Sequence, residues 1–105
     1  MPEMRFLIRW PDGTRERCYS PSLVIRDYFV PGETYALADF LSLSRTALAI
    51  ASDRVKAKYG VPCGRALAQL ARIEATAARF ASLPDACVTV DACERDGEAL
   101  ERPST

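Results

Sequence analysis

MRFLIRWPDGTRERCYS, residues 4–20, is the stretch from which the rest of the fold follows. Two short runs flank Trp10-Pro11-Asp12-Gly13, the composition of a tight turn, and together they predict a β-hairpin. Proline's fixed φ suits the second position of a type I turn, and Gly13 suits the left-handed position that follows. Such a three-residue loop pairs Trp10 with Thr14, Ile8 with Glu16 and Phe6 with Cys18. Met4, Phe6, Ile8, Trp10 and Cys18 then share the buried face, while Arg5, Arg9, Arg15, Arg17 and Tyr19 share the other face with Leu7. A two-residue loop would pair Arg9 with Glu16 and turn the second strand over. Proline's geometry favours the first register.

Downstream, Ser20-Pro21 reads as a helix start, a serine cap followed by proline at the first helical position. Leu23, Val24, Ile25 and Tyr28 supply a short apolar stripe that Val30-Pro31-Gly32 stops, so a helix of about two turns is expected. The same Leu23-Val24-Ile25 run also suits a strand. In residues 37–59, Leu37, Phe40, Leu41, Ser44, Leu48, Ala51 and Val55 recur at steps of three and four, marking one face of a long helix. Arg54, Lys56 and Lys58 complement its negative end. Gly60 provides the left-handed stop, Val61 the apolar contact behind it, and Pro62 blocks continuation. A second helix is expected over residues 64–81, with Leu67, Leu70, Ile73, Ala77 and Phe80 as its stripe, and the short link favours an antiparallel αα-hairpin. Residues 86–91, ACVTVD, are β-rich and predict a third strand completing a sheet with the hairpin.

These elements define a two-layer α+β fold: a small, mostly antiparallel sheet, made of the N-terminal β-hairpin plus a C-terminal strand, packed against a long αα-hairpin. With 105 residues the chain supports one domain. The expected division is a single domain over residues 1–92 and a disordered acidic tail over residues 93–105, where CERDGEALERPST is polar and carries Gly97 and Pro103. The net charge is zero, but residues 1–83 hold 12 basic and 8 acidic side chains against 2 and 6 in residues 84–105. So modest a basic excess speaks for solubility and local pairing rather than for nucleic acid.

Exclusions narrow the chemistry further. The chain has no histidine, which removes Ser-His-Asp and Cys-His nucleophile activation and His-ligated zinc. The five glycines match no phosphate-cradling spacing. The N-terminus has no signal-peptide pattern and no apolar run is long enough to span a bilayer, so a cytoplasmic protein without membrane contact is expected. Cys18, Cys63, Cys87 and Cys93 form no C-x-x-C arrangement, and reduced thiols are the default reading. Cys87 and Cys93 offer a weak metal or disulfide pair. Cys63 is the one catalytic candidate: it stands at a helix start near Arg65, where a thiolate would be favoured as nucleophile or redox sensor. Its plainer role is a small apolar filler between the helices. Arg5, Arg9, Arg15, Arg17 and Tyr19 are the binding candidates, since guanidinium forks grip carboxylates and phosphates and stack on rings. A solvated sheet face is the simpler reading of the same residues. No metal site and no cofactor are expected.

MPEMRF, RWPDG, CYSPS, PGETYALADF and SRTALAIASDRVKAKYG, followed by Cys63 and the second long helix, resemble the mycobacterial-type nitrogen starvation response family of small bacterial proteins over residues 2–92. The resemblance implies expression under nitrogen limitation. It also implies genomic company, since relatives are encoded beside a nitrilase, a radical-SAM protein, an acetyltransferase and a flavin-dependent oxidoreductase. The expected function is therefore a non-catalytic accessory or interaction protein of nitrogen-limitation or nitrile-related metabolism. Its expected partners are proteins, including enzymes of a nitrilase-containing gene cluster, and further copies of itself. A cysteine-dependent enzyme or redox sensor centred on Cys63 and a nucleic-acid-binding regulator are the alternatives.

Overall fold

A computed structural model describes residues 3–95. The elements run β1 (Met4–Arg9), β2 (Arg15–Ser20), α1 (Ile25–Tyr28), β3 (Thr34–Ala36), α2 (Leu37–Tyr59), α3 (Gly64–Ala78) and β4 (Cys87–Arg95). The four strands form one antiparallel sheet in the order β2-β1-β4-β3. The fold is α+β, with the helices on one side of the sheet.

The hairpin takes the three-residue loop. Trp10 N–H bonds the Thr14 carbonyl at 2.8 Å, and Gly13 N–H bonds the Trp10 carbonyl at 2.8 Å with Gly13 at φ +88°. Ile8 pairs with Glu16 and Phe6 with Cys18. Met4, Phe6, Ile8, Trp10 and Cys18 are all buried. They meet a run of rings contributed by every layer: Phe6 stacks on Phe29 at 5.8 Å, Phe29 on Phe40 at 5.3 Å, and Trp10 packs against Phe40 at 5.8 Å and Phe80 at 6.0 Å. Each such side chain removed from water contributes about 1.5–3 kcal/mol.

Helix α2 spans the 23 residues expected and presents Phe40, Ser44, Leu48 and Ala51 to the core. It stops at Gly60, which adopts φ +89° and donates its N–H to the Lys56 carbonyl at 2.8 Å. Val61 does not pack behind that stop; it is 63 % exposed. Helix α3 is shorter than residues 64–81, because residues beyond Ala78 close into turns that carry Phe80 back to Trp10. Its buried face is Ala66, Gln69, Ile73 and Ala77, while Leu67 points out at 48 % exposure. Arg45 and Glu74 pair at 2.7 Å between the two helices.

Four further expectations need correction. Ser20 is not a helix cap: it ends β2 opposite Met4, and its buried Oγ bonds the Ser22 N–H at 3.2 Å and the Ser22 carbonyl at 2.8 Å. Held in the sheet, Ser20 cannot start a helix, and α1 is left with one turn. The sheet has four strands rather than three, because residues 32–37 lie along β4: Thr34 pairs with Thr89, Val90 N–H bonds the Glu33 carbonyl at 3.0 Å, and Leu37 N–H bonds the Ala86 carbonyl at 3.0 Å. Strand β4 continues past the boundary expected at residue 92, since Cys93, Glu94 and Arg95 pair with Phe6, Arg5 and Met4. The rest of the expected tail, residues 96–105, lies outside the described residues. Finally, Cys87 and Cys93 both lie in the extended strand β4, on the order of 20 Å apart at roughly 3.3 Å per residue. They cannot share a disulfide or a metal.

Candidate functional site: an open arginine face and edge

Alternation along β1 and β2 sends every second side chain away from the helices. The register pairs Arg5 with Tyr19, Leu7 with Arg17 and Arg9 with Arg15 on that outer face. All five binding candidates therefore share one side of the sheet, and α3 reaches over it at the Tyr19 end through Arg65. They are not equally available.

Tyr19 is only 7 % exposed. The Arg65 guanidinium lies over its ring at 3.8 Å and that of Arg5 at 4.8 Å. Its hydroxyl donates to Glu3 Oε2 at 2.6 Å. Burial, reinforced by that carboxylate, pushes the phenol's pKa up. Tyr19 and Arg5 thus form a closed stack at one end of the face. Its N–H is capped by Gln69 Oε1 at 3.0 Å, and Gln69 also accepts from Arg72 at 3.0 Å.

Arg9, Arg15 and Arg17 are exposed. The register of β1 on β4 shifts between Leu7, opposite Ala92, and Ile8, opposite Val90, so Asp91 is the extra residue of a bulge. The bulge re-aims Asp91, and Arg9 donates to its Oδ1 at 2.7 Å. That hydrogen bond and the neighbouring charges hold the Asp91 carboxyl below the usual carboxylate range. Arg17 reaches Glu94 at 3.5 Å. Arg15 makes no such pair among the described residues. Around Leu7 these groups rim a shallow hollow of about 380 Å³ lined by Arg9, Arg15, Arg17 and Asp91. Exposed guanidinium groups beside one low-lying apolar side chain can receive a carboxylate or phosphate on a larger partner.

Cys63 sits apart. It is half-buried ahead of α3, and its N–H donates to Ser52 Oγ at 3.1 Å. A hollow of about 180 Å³ places it with Glu3, Tyr19, Val55 and Tyr59. Arg65, the cation expected beside it, is committed to the Tyr19 ring and to Glu3 at 3.4 Å. Among the described residues no cluster of three or more Cys, Asp or Glu side chains could hold a metal, and no helix is long and apolar enough to cross a membrane.

Two parts of the site escaped sequence reading. Asp91 as the partner of Arg9 depends on a bulge in a strand 82 positions away. Gln69 had a visible signal, a single amide among the apolar side chains of α3's inner face, but no feature of the sequence joined it to Tyr19.

Fold and face together define a small two-layer α+β protein built on an open antiparallel sheet with arginines on its uncovered side. A family model described as nitrogen starvation-induced protein NitG matches residues 5–93. The chain belongs to that family, and membership gives it a role related to nitrogen starvation. No curated protein and no solved structure matches it.

Proposed function

We propose that this protein is a non-catalytic accessory protein of the nitrogen-starvation response that binds a protein partner through its uncovered sheet face. The observation carrying this reading is the placement of exposed Arg9, Arg15 and Arg17 around one hollow that is lined by strand residues alone. The partners proposed are enzymes of the nitrile-related metabolism that the family resemblance implies. Self-association through other surfaces is compatible with it. A cysteine-centred reading draws less support, because Arg65 is engaged elsewhere and the chain has no histidine to serve as base.

The test is co-purification of the tagged full chain from nitrogen-starved cells, beside an Arg9→Glu/Arg17→Glu variant. The native chain should retain a stoichiometric protein that the variant loses while keeping its circular dichroism spectrum. A native chain that emerges alone, or an equally retained protein on the variant, removes the reading.

A further inference from the structure

The arginine face ends at an edge whose backbone is open. Trp10 and Thr14 form a hydrogen-bonded pair, so Glu16 and Cys18 also direct their peptide groups toward β1. Arg15, Arg17 and Tyr19 direct theirs outward. The Tyr19 N–H is capped by Gln69; among the described residues no such cap serves Arg15 or Arg17. Strand β2 is the outermost in the sheet. The opposite edge, β3, offers only three residues before the chain turns into α2.

Helix α3 runs beneath this edge in the opposite direction. Arg65 and Gln69 meet Tyr19, whereas Thr76, Arg79 and Phe80 lie beside Arg15 and Glu16. A second hollow of about 270 Å³ results, lined by Trp10, Asp12, Thr14, Thr76 and Arg79. It shares Arg15 and Glu16 with the hollow on the sheet face. One stretch of open backbone therefore has a depression on each side. That is the geometry of strand addition, in which main-chain bonds hold an extended segment and alternate side chains enter two rows of sites.

We propose that β2 takes up an extended acidic segment of a protein partner, bonded to the peptide groups of Arg15 and Arg17. Its alternate carboxylates would face Arg15 and Arg17, and its intervening small apolar side chains the hollow beside Arg79. The proposal rests on the protein-binding reading above and names the mode and chemistry of that binding. Charge selects the occupant. A second copy of β2 docked antiparallel about Arg17 would set arginine against arginine, and like charges directly opposite destabilise a pair. Arginines along an edge disfavour pairing with basic strands and admit an acidic one.

The probe is a blocked heptapeptide alternating glutamate and valine, added to the full-length protein while amide exchange is followed by NMR. At a concentration ten times its dissociation constant, exchange at Arg15 and Arg17 should slow about tenfold, with Tyr19 unchanged because its N–H is already bonded. Methylating every peptide nitrogen of the probe keeps the charge and removes all its donors toward β2, and this peptide should protect neither amide. The Arg15→Glu variant should lose protection by the first peptide. Equal protection by both peptides, protection at β3 instead, stronger protection by a single-stranded oligonucleotide, or a dimer paired at β2 in ultracentrifugation each overturns the proposal. If the full chain still retains a protein from starved cells while Arg15 and Arg17 stay unprotected, strand addition fails and the broader reading stands. If nothing is retained, the broader reading fails.

Discussion

At the scale of single residues, two buried polar groups control the edge and the core beneath it. Gln69 is 2 % exposed and its Oε1 serves both the Tyr19 N–H and Arg72. Removing one partner of a buried pair costs about 1–3 kcal/mol, because the other is left desolvated and unbonded. Gln69→Leu should lower stability to urea by that amount and speed exchange at the Tyr19 amide. Gln69→Glu, which keeps an acceptor for both donors, should cost less. Cys18 is fully buried opposite Phe6, and burial pushes its thiol pKa up. The unfolded chain then releases this proton first, so stability is complete below a thiol's ordinary pKa of about 8.5 and falls above it. The limiting slope is about 1.4 kcal/mol per pH unit for one proton. Denaturant titrations between pH 8 and 10 should show that alkaline decline, and Cys18→Val should make it shallower, leaving the share of Cys93, whose thiol burial also pushes up. An unchanged slope in the variant would mean other groups cause it.

At the scale of elements, legibility followed from whether neighbours in sequence were sufficient. The β-hairpin and α2 were readable because their determinants are local: the Pro11–Gly13 loop, the spacing of Phe40, Ser44 and Leu48, and the stop at Gly60. Gly60 carries a sharp expectation. At φ +89° any residue with a Cβ is disfavoured by about 1–2 kcal/mol, so Gly60→Ala should lower the melting temperature by about 4–8 °C per kcal/mol. Space does not enter, since a Cβ there would meet nothing within 4 Å. By contrast β3 is three residues, Thr34-Tyr35-Ala36, too short for a periodic signal, and is a strand only because β4 offers it Val88 and Thr89. The bulge at Asp91, the continuation of β4 to Arg95 and the burial of Phe29 are likewise set by distant partners. The same division runs through the candidate site. Hairpin alternation put Arg5, Arg9, Arg15, Arg17 and Tyr19 on one face, but the closure of Tyr19 by Arg65 and the capping of its N–H by Gln69 required the helix to be in place.

At the scale of the molecule, the decisive feature is that the last of the described strands lies inside the sheet, between β1 and β3. Everything before residue 87 can form local structure, yet among the described residues β3 has no other strand to pair with and β1 keeps only β2. Loop closure over most of the chain must precede that pairing, a topology that folds late and cooperatively. A chain ending at Ala86 loses Val88 and Val90 from the core and the Asp91 carboxylate from Arg9. A domain's whole stability is about 5–15 kcal/mol, and deleting a buried central strand exceeds it. The truncated chain should therefore keep helical far-ultraviolet dichroism from the αα-hairpin while losing the near-ultraviolet signal of Trp10 and the sigmoidal urea transition. A sharp transition with a native-like Trp10 signal would show that the two hairpins suffice without β4. The expected result also ties the fold to the proposed binding face, because the strand that completes the core holds Arg9 through Asp91. Without it the remaining β-hairpin still carries its arginines in sequence but lacks the flat, braced surface on which they are displayed.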